Sequence, residues 1–346
     1  VIQPARRIAD VPTTPVYDLY WRFATERQAI FMRRLRGEAA PWTYDPIFQR
    51  HRFTNAYRAS DRVSQYLIRE VIYNPAHPDI AIETVFRILL FKLFNKVETW
   101  NMLERELGPP SWQSFDIERY AKVLGDAIDA GRRIYSPAYI MPPVSLGRGG
   151  PKHVGHLKLI DLILRSDFVA RLQQSRSLDE VFGLLKAFPS LGDFLAFQLA
   201  IDLNYSMVIN HDEADFVVAG PGARDGLAKT FVDAAGVDPV DLIRLMRDRQ
   251  QAEFDRLDLA FEDLWGRPLQ LIDCQNLFCE ISKYTRVSHP DIMGLSGRSR
   301  IKQIYRGEER PVQPWYPPKW GLNKRIPIFP TTVLSRDLFE VHHEAV

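Results

Sequence analysis

The sequence predicts a mainly α-helical fold. Three observations point there: apolar residues recur at three- and four-residue spacing, alternating strand patterns are scarce, and Pro- and Gly-rich stretches at 135–152 and 310–330 separate the periodic segments. The first helix is expected over 16–36, starting after Pro15 and stopping at Gly37. A second follows Ser60 and Asp61 as caps and ends before Asn74-Pro75, giving 60–73. Residues 79–95 are apolar almost all round and read as a buried helix. Further helices are expected over 115–133 and 155–165, then a close pair over 178–187 and 192–203. A long charged helix over 239–265 and another over 275–286 complete the set. The expected organisation is an N-terminal helical lobe with a basic start (1–145), a second lobe (146–310), and a Pro-rich basic arm and tail (311–346). The two lobes can also be parts of one compact domain.

Composition narrows the function classes. The 346 residues are 46% apolar and 25% charged, enough for a sizeable core. No apolar run approaches the roughly 18 residues of a membrane span, and the start lacks the apolar stretch of a signal peptide. Two cysteines, Cys274 and Cys279, exclude a disulfide scaffold and an iron–sulfur cluster held by this chain alone. A reducing cytoplasm, no membrane partner and a monomer are the expectations. The net charge of +2 conceals segregation. Residues 1–70 hold 12 Lys/Arg against 7 Asp/Glu, and residues 283–325 hold 10 against 3, while residues 71–282 carry a net −8. Two basic segments around an acidic middle suit a polyanion such as DNA; chance patchiness is the bland alternative.

The most informative stretch is Leu184–Gly226. Its first part reads helix, tight turn, helix, with the turn at Phe188-Pro189-Ser190-Leu191-Gly192. Pro189 fixes the turn, Gly192 supplies backbone freedom or close approach, and the free amides opening the next helix can hold a DNA phosphate. This stretch resembles the helix-hairpin-helix of DNA glycosylases, Leu-Pro-Gly-Val-Gly. Ser190 departs from the first glycine, and Asp193 adds a negative charge beside the phosphate site. An ordinary αα-hairpin with a Pro-x-x-Gly turn is the plain alternative.

The resemblance implies a helix-hairpin-helix DNA glycosylase-like two-lobed helical fold. It also implies a catalytic aspartate about 20 residues beyond the hairpin's second glycine. Asp212 lies 20 residues after Gly192, and Asp215 lies 23 after it, within Asn210-His211-Asp212-Glu213-Ala214-Asp215-Phe216. Cleaving an N-glycosidic bond develops positive charge on the sugar, which a carboxylate stabilises. Asp215 is preferred because Phe216-Val217-Val218 follows it, as an apolar helix follows the family's aspartate; Glu213 is a possible assistant. A helix cap or solvated loop is the plain reading of each acid. Phe194 stands where strand-cleaving glycosylases carry their Schiff-base lysine, which implies a monofunctional enzyme. Gly220 and Gly222 flank Pro221 and offer amides to a phosphate. No Gly-x-x-x-x-Gly-Lys-Ser/Thr is present.

Several scattered strings resemble one family in particular. They are Arg52-Phe53-Thr54-Asn55-Ala56-Tyr57-Arg58 with Asp61-Arg62, Ala219–Ala223, Asp273–Glu280 with Lys283-Tyr284, and Pro317-Pro318-Lys319-Trp320-Gly321. They are similar to the α-glutamyl/putrescinyl-thymine pyrophosphorylase group, also met as the helical domain of 5-hydroxymethyluracil DNA kinases, with antiphage DNA glycosylases among its bacterial members. The resemblance implies DNA carrying modified pyrimidines as partner and base flipping as the access route. The leading functional expectation is a monofunctional glycosylase, a hydrolase excising a bulky base such as glucosylated hydroxymethylcytosine from phage DNA in antiviral defence. The alternatives are a pyrophosphorylase-type transferase acting on hydroxymethyl-pyrimidine in DNA and a non-catalytic DNA-binding module. A base pocket would draw on Asn55, Arg58, Gln275, Asn276, Glu280 and Lys283, whose amides and charges can read base edges or sugar hydroxyls. A polar network or a helix-surface ion pair is the plain reading of the same residues. Trp315, Tyr316 and Trp320 either stack on a base or pin the arm to the core. His153 and His156 are spaced as metal ligands can be, with no third ligand nearby, so neither metal nor cofactor is expected.

Overall fold

The computed structural model describes residues 11–137, 141–144, 146, 150–232, 236–307 and 312–329. Thirteen α-helices account for most of these residues, and no strand occurs among them beyond two isolated bridges, Thr13 with Phe231 and His51 with Ile304. The expected mainly α class is therefore met. The described residues divide into two compact units, both discontinuous in sequence: one built from 11–61 with stretches within 217–314 and 321–329, the other from stretches within 62–216 with 315–320. The cuts fall at 61/62 and 216/217.

The first unit contains α1 (Val16–Leu35), α2 (Pro46–Arg50), α11 (Pro221–Thr230), α12 (Pro239–Arg256) and α13 (Leu271–Ser288). Its centre is the packing of α11 on α13. A Cβ added at Gly226 would lie 2.1 Å from the Phe278 carbonyl oxygen, and one at Gly222 would lie 2.9 Å from Cys279 Sγ. Two glycines one helical turn apart thus let the two backbones approach closely. α1 lays Tyr20, Trp21, Phe23 and Phe31 into this core, and Tyr20 donates its hydroxyl hydrogen bond to the Cys274 carbonyl at 3.3 Å. α13 is closed at its start by a capping box, with Gln270 and Asp273 satisfying each other's amides. α12 ends at Arg256, nine residues short of the expected 265, because the chain turns at Asp258, which has φ +52°.

The second unit contains α3 (Arg62–Tyr66), running on as a π-helical stretch (Leu67–Ile72), and then α4 (Ala81–Phe94), α5 (Val97–Leu107), α6 (Ile117–Asp129), α7 (Lys152–Arg165), α8 (Phe168–Gln174), α9 (Leu178–Lys186) and α10 (Asp193–Asn204). α4 is buried over nearly its whole length, as its uninterrupted apolar character predicts. It ends on Asn95 in the left-handed conformation at φ +50°. Helix α5 follows after Asn95 and Lys96 and was not among the expected helices: Gly108 and two prolines mark its end, but nothing of turn composition marks its start so soon after α4. Lys92 of α4 and Asp202 of α10 form an ion pair at 3.3 Å within the core of this unit.

Candidate functional site

The first unit gathers a charged cluster from three segments. Residues 52–61 cross the face of α13, held by hydrogen bonds to its acids. The Arg58 amide donates to Asp273 Oδ1 at 2.7 Å, and the Thr54 amide donates to Glu280 Oε2 at 3.1 Å. Glu280 is buried and also pairs with Lys283 one turn on, at 2.7 Å. The Lys283 ammonium lies 5.2 Å above the ring of Phe53, a cation–π contact. Asn55 closes a loop on itself: its amide donates to Asp61 Oδ1 at 2.7 Å and its side-chain nitrogen to the Ser60 carbonyl at 2.6 Å. Arg27 of α1 donates to the Thr54 carbonyl at 2.8 Å.

The electrostatics of this cluster set it apart. Enclosure by protein pushes the Asp61 carboxyl up to about 6, although the Asn55 amide and Arg27 pull it down; the charge on Glu280 adds to the rise. Enclosure likewise lowers the Arg27 guanidinium to about 10, against the upward pull of Asp61 and Glu280. A carboxyl titrating near neutrality beside two cations and a second acid is suited to accepting a hydrogen bond or a proton from a hydroxyl. Of the residues expected for a base pocket, Asn55, Glu280 and Lys283 belong to this cluster. Arg58 has its side chain buried, Gln275 is wholly buried with its amide nitrogen 3.3 Å from Cys279 Sγ, and Asn276 is half-buried. Arg27 is a member that the sequence reading missed; it sits inside an amphipathic helix with no motif around it. Gly220 caps α11 and Pro221 opens it, so the amides expected to approach a phosphate lie at a helix start. Gly222 serves the packing on Cys279, whose thiol burial pushes up to about 12.

The second unit holds the hairpin and the acidic loop. α9 and α10 are joined by a tight turn as expected, but Gly192 is not where the backbone needs glycine. Gly192 has φ −72°, whereas Ser190 adopts φ +64°. Ser190 therefore takes a glycine-like conformation at the very position where the hairpin pattern has its first glycine. Its hydroxyl donates to the Pro143 carbonyl at 3.2 Å. Lys186 and Asp193 pair across the turn at 2.6 Å, which offsets the acid at the start of α10. In the loop that follows, the Asn204 amide group and the His211 backbone exchange two hydrogen bonds, at 2.9 and 3.0 Å. Lys319 donates to the carbonyls of Ser206 and Ile209 at 2.8 and 2.7 Å. Asp212 accepts from the Ala214 amide at 2.8 Å and is exposed, Glu213 is buried, and Asp215 is exposed. No helix opens at Asp215: residues 216–220 run as irregular chain, with Phe216 against Phe182 and Phe197.

The remaining sequence candidates have structural employment. Tyr316 is wholly buried, Trp320 packs edge-on to Tyr205, and Trp315 packs on Tyr73, so these aromatics pin the arm. His156 uses one ring nitrogen on Tyr135 Oη at 2.7 Å and the other on the Pro142 carbonyl at 2.9 Å, and burial lowers it to about 4. No group of three potential metal ligands, and no helix long and apolar enough to cross a membrane, occurs among the described residues.

Comparison with known proteins bears directly on the chemistry. A family model described as "5-hmdU DNA kinase, helical domain" matches residues 14–294. A 5-hmdU DNA kinase of Bacillus phage SP10 is 27% identical over 292 residues, which cover 78% of this chain and 45% of that protein. The chain thus spans less than half the length of this curated relative. No solved structure matches. These matches overturn the leading expectation from sequence. The relative and the family model are named for a kinase, a transferase, and neither for an N-glycosylase; hydrolysis and base excision are withdrawn as the reading of this chain.

Proposed function

Because the chain belongs to the family of 5-hmdU DNA kinase helical domains, we propose that it serves the acceptor side of a group transfer to hydroxymethyl-pyrimidine in DNA. The observation that carries this reading is the Asp61 carboxyl, raised to about 6 within the cluster of Asn55, Arg27 and Glu280. A 5-hydroxymethyl group differs from the thymine methyl by one hydroxyl. An ionised carboxylate accepts a hydrogen bond from that hydroxyl and has nothing to accept from a methyl. The same carboxylate takes the proton when the hydroxymethyl oxygen attacks the phosphorus of a phosphoryl donor: the new O–P bond forms as the bond from that phosphorus to the donor's bridging oxygen breaks, and the rest of the donor leaves with the electron pair. Lys283, held by Glu280, supplies a nearby positive charge for the DNA backbone or the transferred group. The hairpin of the second unit, with Ser190 and Gly192 at its turn, is proposed as a phosphate grip.

The test is a competition between duplexes identical except for one 5-hydroxymethyluracil or thymine. A hydrogen bond to a charged group is worth about 1.5–3 kcal/mol, roughly ten- to hundredfold in affinity. The hydroxymethylated duplex should win by a factor in that range at pH 7.5, and Asp61→Asn should erase the preference. The preference should also fade below about pH 6, where Asp61 protonates and can no longer accept as a carboxylate. Nucleosides digested from the product should retain the base; equal binding of the two duplexes, or release of a free base, contradicts the proposal.

A further inference from the structure

Residues 289–307 leave the C-terminus of α13, the helix that carries Glu280 and Lys283. Four cations, Arg298, Arg300, Lys302 and Arg306, are exposed along this segment against a single acid, Asp291. Two large apolar side chains precede the cations and stand in solvent, Met293 at 60% and Leu295 at 74% exposure. Isolated exposed apolar residues need no explanation. These two differ because the backbone between them is fixed. Gly294 presses on the Asp225 carboxylate so closely that a Cβ there would lie 2.4 Å from Oδ1. The Ser296 amide donates to the same oxygen at 2.6 Å, and Asp225 is held from below by the Ser282 hydroxyl. Burial drives the Asp225 carboxyl up, but the hydrogen bonds from Ser282 and Ser296 and the charge on Lys229 outweigh it, and the net direction is down, towards the ionised form. Lys229 is itself buried and donates to the Ser282 carbonyl at 3.0 Å.

Further along, the segment is tied twice more. Arg286 donates to the Arg300 carbonyl at 3.1 Å. The backbone around Ile304 pairs with that around His51, through Arg52 to Gln303 at 3.1 Å and Tyr305 to Arg50 at 3.0 Å. The protein thus spends a buried carboxylate and two backbone ties on holding an arch whose tip is apolar and whose flank is cationic. A free solvent loop requires none of this.

We propose that this arch is a DNA wedge: Met293 and Leu295 enter between base pairs while Arg298, Arg300 and Lys302 grip the adjoining phosphates. Unbranched or γ-branched apolar side chains are the kind that unstack a base step, and the phosphates supply the complementary charge. The inference rests on the reading of the chain as a DNA-binding domain and gives it a means of exposing a base.

The experiment uses the full chain and a duplex with 2-aminopurine beside one 5-hydroxymethyluracil, so that unstacking is read as fluorescence and binding as anisotropy. The wild-type protein should raise the fluorescence several-fold on binding. Met293→Ala/Leu295→Ala should cut that rise about fivefold or more while weakening binding far less, since much of the affinity comes from phosphate contacts. Arg298→Ala/Arg300→Ala should do the reverse, reducing the log–log salt slope by about two. Both pairs are exposed, and circular dichroism checks that each variant is folded. Binding without a fluorescence rise, or a rise unchanged in the apolar double variant, overturns the wedge and leaves DNA binding standing. No binding to any duplex overturns both. Sedimentation with phosphatidylserine vesicles that depends on Met293 and Leu295, while duplex unstacking does not, assigns the arch to a lipid surface and also rejects the wedge.

Discussion

At the residue scale, Asp61 makes the sharpest prediction. Its folded carboxyl titrates at about 6, above its ordinary value near 3.8, because enclosure disfavours the charge. Between those two values the folded chain binds more protons than the unfolded chain, so the Asp61 contribution to stability falls as pH rises through that window and is flat above it. Asp61→Asn removes this dependence and keeps an oxygen to accept the Asn55 amide. The variant should therefore gain stability relative to wild type as pH rises from 4 to 6, read as the difference between two urea midpoints at each pH. A constant difference across that range would show that Asp61 is not perturbed. A position four residues after Ala56-Tyr57 carries no sequence mark of such a shift. The shift comes from burial in the fold, with the charge on Glu280 adding to it, and the groups that act on it are far off in sequence: Arg27, which opposes the shift, is more than thirty positions away. The sequence strings containing Asn55, Asp61, Glu280 and Lys283 were legible as polar; their convergence was not, because it depends on the contacts of Thr54 and Arg58 with the acids of one helix.

At the element scale, two glycines that look alike in sequence do different work. Gly226 lies in helix α11 against the Phe278 carbonyl, with no room for a Cβ. Gly226→Ala must push α11 off α13, at a cost of about 2 kcal/mol or more by the scale of overpacking in cores. Gly192 has an ordinary backbone conformation, and a Cβ there meets nothing within 4 Å. Gly192→Ala should shift the thermal midpoint little, since the fewer unfolded conformations of alanine offset its weaker capping of α10. A loss of DNA affinity in that variant then reads the close approach of a phosphate directly, free of any folding defect. Normal affinity removes the hairpin from the proposed phosphate grip. The helices themselves were largely legible because 3.6-residue periodicity is a local property: α1, α4, α9 and α10 fall within a few residues of expectation. The misses have local causes. α11 opens with Gly220-Pro221-Gly222, turn chemistry by composition but a Gly cap with Pro at the first helical position in fact. The hairpin's left-handed residue is Ser190, a residue type that seldom signals that conformation.

At the scale of the whole molecule, the distribution of charge matters more than its sum. A net +2 gives little long-range attraction to a polyanion, and the acidic stretch 71–282 opposes it. Binding must then be local, through cations that the fold fixes in place. The arch of residues 289–307 offers four exposed cations on a backbone held by three separate ties, so that binding through them does not first have to order the loop. Three phosphate contacts, those of Arg298, Arg300 and Lys302, give a log–log salt slope of about −2.7 on duplex DNA, so that raising salt fourfold weakens binding by roughly fortyfold. Titration of a short duplex at salt concentrations between about 50 and 200 mM measures this slope directly. The slope should be the same for thymine and 5-hydroxymethyluracil duplexes, because phosphates position the protein and carry no base identity. The preference between the two duplexes should in turn be nearly independent of salt, because it arises from one enclosed carboxylate and one hydroxyl. A slope shallower than about −1 removes the basic segments from the interface. A preference that vanishes with salt along with the affinity would place base recognition outside the Asp61 cluster, in the same exposed cations that hold the backbone.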